Sequence, residues 1–324
     1  MKLEEVEPEA WNGLLSDLGC DDAYLRREYV EAAAVLDPGE VALLHADGVV
    51  FPCIVRELGE IRDVCGPYGF GGPVAPGGDA ARFYDLYEAW SRERGIVTTF
   101  SWFHPRFANH RYARIHVESR AGTVAWRLDE GDLFERLHRH HRRAARKAEA
   151  TGVETRVTVA PADLEPFARL YEQTMAEKGA TGFYYFPQDY WPALAARLGE
   201  NLVLFEAIQE GTVRAALLGL ASSPWLHYHL GASERSGGAN NLLFLETARW
   251  ARDNGFTRFH LGGGVGGADD SLLEFKLRFD PGGLIESAVG KAVHNENTYR
   301  ELTGTAGLDG FFPAYRANPA TVSA

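Results

Sequence analysis

ANNLLFLETARWARDNGFTRFHLGGG, residues 239–264, followed at residues 269–279 by DDSLLEFKLRF, is the stretch on which the architecture of this chain turns. Its first part carries apolar residues at helical spacing and closes at Gly255, where glycine ends a helix without a Cβ penalty. TRFHL then reads as a strand, and a run of glycines turns the backbone into a second, short helix. Gly262, Gly264 and Gly267 satisfy G-x-G-x-x-G. A dinucleotide fold needs further parallel βα units after such a turn, and the remaining sequence is too short and irregular to supply them. Simpler chemistry is left. Asp270 caps the following helix, or Ser271 and Glu274 form a capping box, and Phe275 and Lys276 come next on its exposed first turns. A lysine just beyond a glycine nest suits an oxyanion or a phosphate; a plainly solvated lysine is the alternative.

Outward from this stretch, strands and helices alternate. WLHYHL, 225–230, is a strand that sends His227 and His229 to one side and Tyr228 to the other. Before it lie the hairpin LVLFEAIQEG/TVRAALLGLAS and helices from Asp163 to Lys178 and from Tyr190 to Leu198. The first half repeats this grammar. A helix spans Tyr24 to Val35, and EVALLHADG and VVFPCIVREL pair around Asp47-Gly48, a hairpin signal. After the loop GPYGFGGP, 66–73, Asp79 caps a helix whose Phe83, Leu86, Tyr87 and Trp90 recur at helical spacing. The class is α+β, with mixed sheets and flanking helices. The chain has 324 residues, 45% of them apolar, which predicts two domains. We place them at 1–151 and 152–307.

Lys plus Arg number 33 against 45 Asp plus Glu, and a net charge of -12 opposes sequence-blind adhesion to nucleic acid or anionic membrane. Cys20, Cys53 and Cys65 are too few and too loosely spaced for a disulfide framework, as expected of a cytoplasmic protein. No apolar run approaches the roughly 18 residues of a spanning helix. Against this acidic background LHRHHRRAARKAEATG, 137–152, is conspicuous. On one helical wheel for 133–148, Leu133, Phe134, Leu137, His141, Ala144, Ala145 and Ala148 take one half; Arg136, Arg139, Arg142, Arg143, Arg146 and Lys147 take the other. Such a ridge is either a solvated face or a phosphate site, and arginine suits bidentate phosphate contact. His138, His140 and His141 lack metal spacing, so no metal is expected.

The 239–264 and 269–279 runs, the tail FFPAYR, the loop GPYGFGGP and the segment RRAARKAEATGVE, in this order, resemble the FemABX family of aminoacyl-tRNA-dependent transferases. The resemblance implies two tandem GNAT-like domains, with residues 308–324 returning to the first. Larger members carry a coiled-coil arm for which this chain has no room, so it is similar to the compact kind, which includes antibiotic-tailoring members. By resemblance the second domain faces the aminoacyl-tRNA end, Phe275-Lys276 border the acyl-transfer channel, and Tyr68, Gly69 and Phe70 shape the acceptor pocket.

The implied reaction moves an amino acid from aminoacyl-tRNA to the amine of a peptide or peptide-like acceptor, a peptidoglycan precursor or a peptidyl antibiotic. It needs no cofactor beyond the aminoacyl-tRNA co-substrate. Lys276 is expected to stabilise the oxyanion, and His229 or Tyr228 either lines the channel or packs in the core. Arg139 and Arg143 are expected on a phosphate-bearing substrate, and Arg142, Arg146, Lys147 and Arg278 on tRNA. The alternative is an acyl-CoA-dependent N-acyltransferase acting on a small amine. Its pyrophosphate loop, R/Q-x-x-G-x-G/A, would fall on Arg235, Gly238 and Asn240, where the last small residue is lost. A binding module that keeps the fold without turnover is a third reading.

Overall fold

The computed structural model describes residues 2–234 and 238–317. The chain forms two compact units, Met1–Arg120 with Glu286–Ala324, and Ala121–Ile285, so the second is inserted within the first.

The first unit opens with β1 (Glu4–Glu5), α1 (Pro8–Asp17), α2 (Arg27–Ala33), β2 (Gly39–Ala46), β3 (Val49–Leu58), β4 (Ile61–Cys65), α3 (Ala80–Glu93) and β5 (Ile96–Trp102). β2 and β3 form the expected hairpin, with Ala46 opposite Val49 and positive φ at both Asp47 and Gly48, as a tight primed turn requires. β4 is antiparallel to β3 and parallel to β5, and α3 makes the crossover. The Asp79 side chain accepts from the Arg82 backbone N–H at the start of α3, and Phe83, Tyr87 and Trp90 bury against Phe51 and Val64. Period 3.6 on the helix thus meets period 2 on the sheet in one core.

The second unit comprises the end of β6 (His116–Arg127), then α4 (Leu133–Arg136), α5 (Arg139–Ala150), β7 (Glu154–Val159), α6 (Glu165–Glu177), α7 (Tyr190–Leu198), β8 (Leu202–Gln209), β9 (Thr212–Ser222), β10 (Trp225–Ser233), α8 (Ala239–Asp253), β11 (Arg258–Gly262) and α9 (Ser271–Leu277). β7 to β10 are an antiparallel meander, β10 and β11 are parallel with α8 between them in sequence, and β6 is antiparallel to β11. Each unit therefore contains an antiparallel meander that ends in a parallel βαβ pair. β12 (Leu284–Val293) and α10 (Glu296–Thr303) then complete the first unit. β12 is antiparallel to β5, and Phe312 and Tyr315 pack with Val97 and Tyr299. Asp63, fully buried, is held by Arg56 at 2.8 Å, Tyr315 at 3.0 Å and Arg316 at 2.5 Å.

Two expectations change. The division does not fall at residue 151, because Leu133, Leu137, Ala145 and Ala148 belong to the second unit's core, and the return to the first unit begins at Glu286 rather than 308. The basic segment is two helices, not one. Leu137 takes an extended ψ of 145°, and His138 starts α5 with its ring accepting from the His140 N–H. The break frees Arg136 to reach inward, where with Arg127 it satisfies the buried carboxylate of Asp280 at 3.1 and 2.8 Å.

The longest helix among the described residues is α8, with 15 residues. Among those residues no helix is long and apolar enough to cross a membrane.

Candidate active site

Asp270, not a Ser271–Glu274 box, caps α9: its carboxylate accepts from the N–H groups of Leu272 and Leu273, and its second oxygen accepts from Val265. The cap fixes the helix direction and with it Lys276. That side chain is not on an exposed turn, as its sequence context had implied. It is 5% exposed, donates from Nζ to the Gly263 carbonyl at 2.6 Å, and lies 5.2 Å from the centre of the Tyr228 ring. Burial pulls its pKa down to about 7; Asp270 raises it somewhat and Lys178 lowers it further. The group therefore holds its proton over only part of the neutral range.

Tyr228 stacks on Phe244 at 5.4 Å, and burial pushes its phenol up to about 12, so it stays a neutral hydroxyl beside the lysine. The next residue points elsewhere. His229 shares a 2.8 Å hydrogen bond with the Tyr190 hydroxyl on α7, and burial, with His227 adding to it, brings its pKa down to about 3. A neutral imidazole of such low basicity is a poor proton acceptor. The structure joins Tyr228, not His229, to Lys276.

Phe275 packs among His141, Phe244 and Phe279, and its carbonyl accepts from His141 Nε2 at 2.9 Å. On the other ring nitrogen, His141 Nδ1 meets the Asn241 amide at 2.9 Å. Accepting from Asn241 requires the proton on Nε2, the tautomer that donates to Phe275. Burial keeps this histidine neutral, with a pKa of about 4. One imidazole thus ties α5 to α8 and α9, and Phe275 serves that packing.

The cationic ridge divides by partner. Arg142 donates to the Glu135 carbonyl at 2.5 Å, Arg146 lies 4.8 Å above the Phe134 ring, and Arg278 pairs with Glu274 at 3.0 Å. Arg139, Arg143 and Lys147 are exposed, with no ion pair or hydrogen bond to any described residue. Spaced i, i+4 and i+8, they form one stripe on α5. In the first unit, the Tyr29 hydroxyl donates to the Tyr68 carbonyl, and Phe70 meets Tyr24 edge-on at 5.6 Å. Gly69 has φ +102°, and a Cβ there would sit 2.4 Å from the Tyr24 ring. The aromatic loop is thus built on a glycine that nothing larger replaces.

Residues 135–276, from α4 to Lys276 itself, match the family described as Acetyltransferase (GNAT) domain. No curated protein matches the chain in sequence. Among solved structures, FemX is similar with a TM-score of 0.68 and 13% identity over 93% of this chain and 100% of that one. The fold is that of FemX. L-PGS from Bacillus licheniformis follows at TM-score 0.58 and 14% identity, over 91% of this chain and 94% of its own. The tandem GNAT protein from the clavulanic acid biosynthesis pathway stands at 0.54 and 11%, over 91% and 99%.

Of the R/Q-x-x-G-x-G/A positions weighed in the sequence, Gly238 and Asn240 fall at the start of α8. Arg235 falls outside the described residues. Gly238, with φ +100°, abuts α5 so closely that a Cβ would stand 2.3 Å from the Ala144 carbonyl oxygen. The Asn240 position lies on the first turn of α8, and its neighbour Asn241 is committed to His141. Sequence reasoning missed Lys178 and Tyr184. Lys178 acts on Lys276 through its charge, and burial, with Asp270 adding to it, raises the Tyr184 phenol, which the nearby Gly266 N–H offsets. The run FYYF, 183–186, after a glycine break was the available signal.

Proposed function

We propose that this chain is an aminoacyltransferase that moves an amino acid from aminoacyl-tRNA to the amine of a peptide or peptide-like acceptor. The observation that carries this reading is the placement of α5. Its inner face packs against the start of α8, with Gly238 tight against the Ala144 carbonyl and Asn241 bonded to His141, next to the helix N–H groups that a pyrophosphate would need. Its outer face holds Arg139, Arg143 and Lys147 ready for phosphates spaced along an RNA strand. Arg142, Arg146 and Arg278, already partnered, would add contacts at the edge of that footprint.

The chemistry follows from Lys276. The acceptor nitrogen attacks the ester carbonyl carbon, and the carbonyl electrons move to its oxygen. The protonated Lys276 ammonium, with little water around it, stabilises that oxyanion; one such donor is worth roughly 3 to 4 kcal/mol. Collapse re-forms the carbonyl, breaks the bond to the ribose oxygen and leaves an amide. The amine's proton ends on the ribose hydroxyl of the released tRNA. Tyr228 supplies a neutral hydroxyl next to the lysine, and Tyr68, Gly69 and Phe70 are assigned to the acceptor.

The test supplies total tRNA charged with one labelled amino acid at a time, together with candidate amines, and follows the label from RNA into amide. Label transfer supports the proposal. Amide formed from acetyl-CoA alone would move the assignment to an N-acyltransferase, a reading that the GNAT family match favours.

A further inference from the structure

The connection between α6 and α7 borders the Lys276 environment. α6 ends at Glu177, Lys178 is its C-cap, and Gly179 reverses the chain with φ +61°. FYYF, 183–186, then crosses to α7 with its residues alternately held and shown. Phe186 is 8% exposed and packs on Tyr171, Tyr190 and Trp191, while Tyr184 is partly buried with its hydroxyl at the Gly266 N–H. These two anchors fix the backbone and leave Phe183 66% and Tyr185 44% exposed. Val265 on the glycine turn and Leu272 on the first turn of α9 are exposed as well. Four of the eight large apolar side chains that the described residues expose thus lie on this connection and on the turn and helix that hold Lys276, and such clustering marks a binding surface.

The charges beside the rings say what kind of partner fits. The Lys178 side chain is exposed, makes no ion pair or hydrogen bond with any described residue, and is near enough to Lys276 for the two charges to oppose each other. Glu177, Asp269 and Asp270 share the neighbourhood, although Asp270 is spent on the N–H groups of Val265, Leu272 and Leu273. The acids oppose an anionic lipid surface, and the lysine suits a single phosphate flanked by flat, apolar groups. A nucleic-acid strand offers that pattern, because bases stack on exposed aromatic rings whatever their sequence. Geometry adds a constraint. An ester on the last ribose puts the terminal base only a few bonds from the carbonyl, so a carbonyl delivered to Lys276 lays its nucleotides on the surface next to that lysine.

We infer that the connection from Lys178 to Tyr185 receives the single-stranded 3′ end of the donor RNA, with Phe183 and Tyr185 stacking on its last bases and Lys178 meeting a phosphate between them. The inference rests on the aminoacyl-tRNA reading above and assigns the RNA end to residues that reading leaves without a role.

Calorimetric titration of the full chain with the uncharged tetraribonucleotide ACCA, and with an abasic tetranucleotide that keeps the phosphates, tests it. ACCA should bind saturably with a dissociation constant on the order of 100 μM, and the abasic strand about tenfold more weakly. Phe183→Ala and Tyr185→Ala change exposed rings, so folding is not at risk; each should weaken ACCA about tenfold and leave the abasic strand unchanged, and Phe183→Trp should restore ACCA binding. Lys178→Ala should weaken both strands and lower the dependence of log affinity on log salt by about 0.7. In the transfer assay Phe183→Ala should raise KM for charged tRNA. No saturable binding of ACCA, equal loss of both strands in Phe183→Ala, or a Phe183→Ala chain that keeps ACCA but no longer sediments with phosphatidylcholine vesicles would each overturn the inference. A parent that transfers label while these variants bind and turn over as it does removes this inference alone. A parent that binds ACCA through these residues but yields no amide removes the proposed reaction and leaves the RNA site standing.

Discussion

Each unit buries one lysine, and the two are held in opposite ways. Lys291, on β12 of the first unit, is 1% exposed; it forms an ion pair with Glu118, donates to the Leu308 carbonyl at 2.6 Å and lies 5.8 Å from the Phe312 ring. Its charge is answered by a carboxylate, and its donors tie a strand to the returning tail. Lys276, on α9 of the second unit, has a backbone carbonyl and a tyrosine ring for neighbours, and among the described residues no carboxylate stands within ion-pair distance. Burial alone does not make a lysine reactive; burial without a counter-charge does, because the cation is then stabilised only by whatever negative charge arrives. The first lysine completes a structure, and the second is left to be completed by a transition state.

The sharpest way to break this contrast is to remove each ammonium. Lys276→Met should lower kcat/KM for transfer from charged tRNA by about 10²- to 10³-fold while leaving the thermal midpoint unchanged or higher. Lys291→Met should do the reverse: it leaves Glu118 with Arg120 as its remaining cationic partner and frees the tail, costing about 2 kcal/mol in urea titrations after allowance for the partial exposure of Glu118, with turnover per folded molecule preserved. The pH dependence sharpens the same point. Lys276 titrates near 7 in the folded chain, against an ordinary 10.5, so between these values the unfolded chain binds the extra proton and stability rises with pH. Denaturation series from pH 6 to 10 should show that slope, and Lys276→Met should flatten it. Transfer should also decline above pH 7 as the ammonium is lost, and Lys276→Arg should carry that decline to higher pH.

Smaller effects belong to the periphery. Replacing Arg139, Arg143 and Lys147 with alanine should reduce the dependence of log affinity for tRNA on log salt by about 2, at roughly 0.7 for each phosphate no longer neutralised. Arg136→Ala should instead destabilise the fold, because Asp280 stays buried. Tyr228→Phe should change transfer less than about tenfold.

Elements with a complete local signal could be read from the sequence: the hairpin at Asp47-Gly48, the Asp79-capped α3, and α8 with its glycine stop. What escaped was set by partners distant in the chain. The first part of β6, HVESR, is largely polar and only partly buried, so it carries no strand alternation. β12 lies in the stretch assigned by sequence to the second domain, and only its pairing with β5 places it in the first unit. The break at Leu137 was hidden because the apolar positions of α4 and α5 fit one wheel even though the backbone does not. Lys276 was singled out for its chemistry, but its burial depends on Gly263 and Tyr228, which no periodicity brings to it. Lys178 and Tyr184 were missed for the same reason.

The insertion of one unit into the other has a consequence for how the protein is made. The inserted unit is complete once Ile285 has left the ribosome, whereas its host still lacks the strand that pairs with β5 and the tail that satisfies Asp63. At ~5–20 residues per second, the wait between translation of β5 and of its partner lasts roughly ten to forty seconds. During it the N-terminal host carries a naked strand edge and an acid that only Arg56 answers, which makes nascent-chain aggregation, more than thermal unfolding of the finished protein, its main hazard.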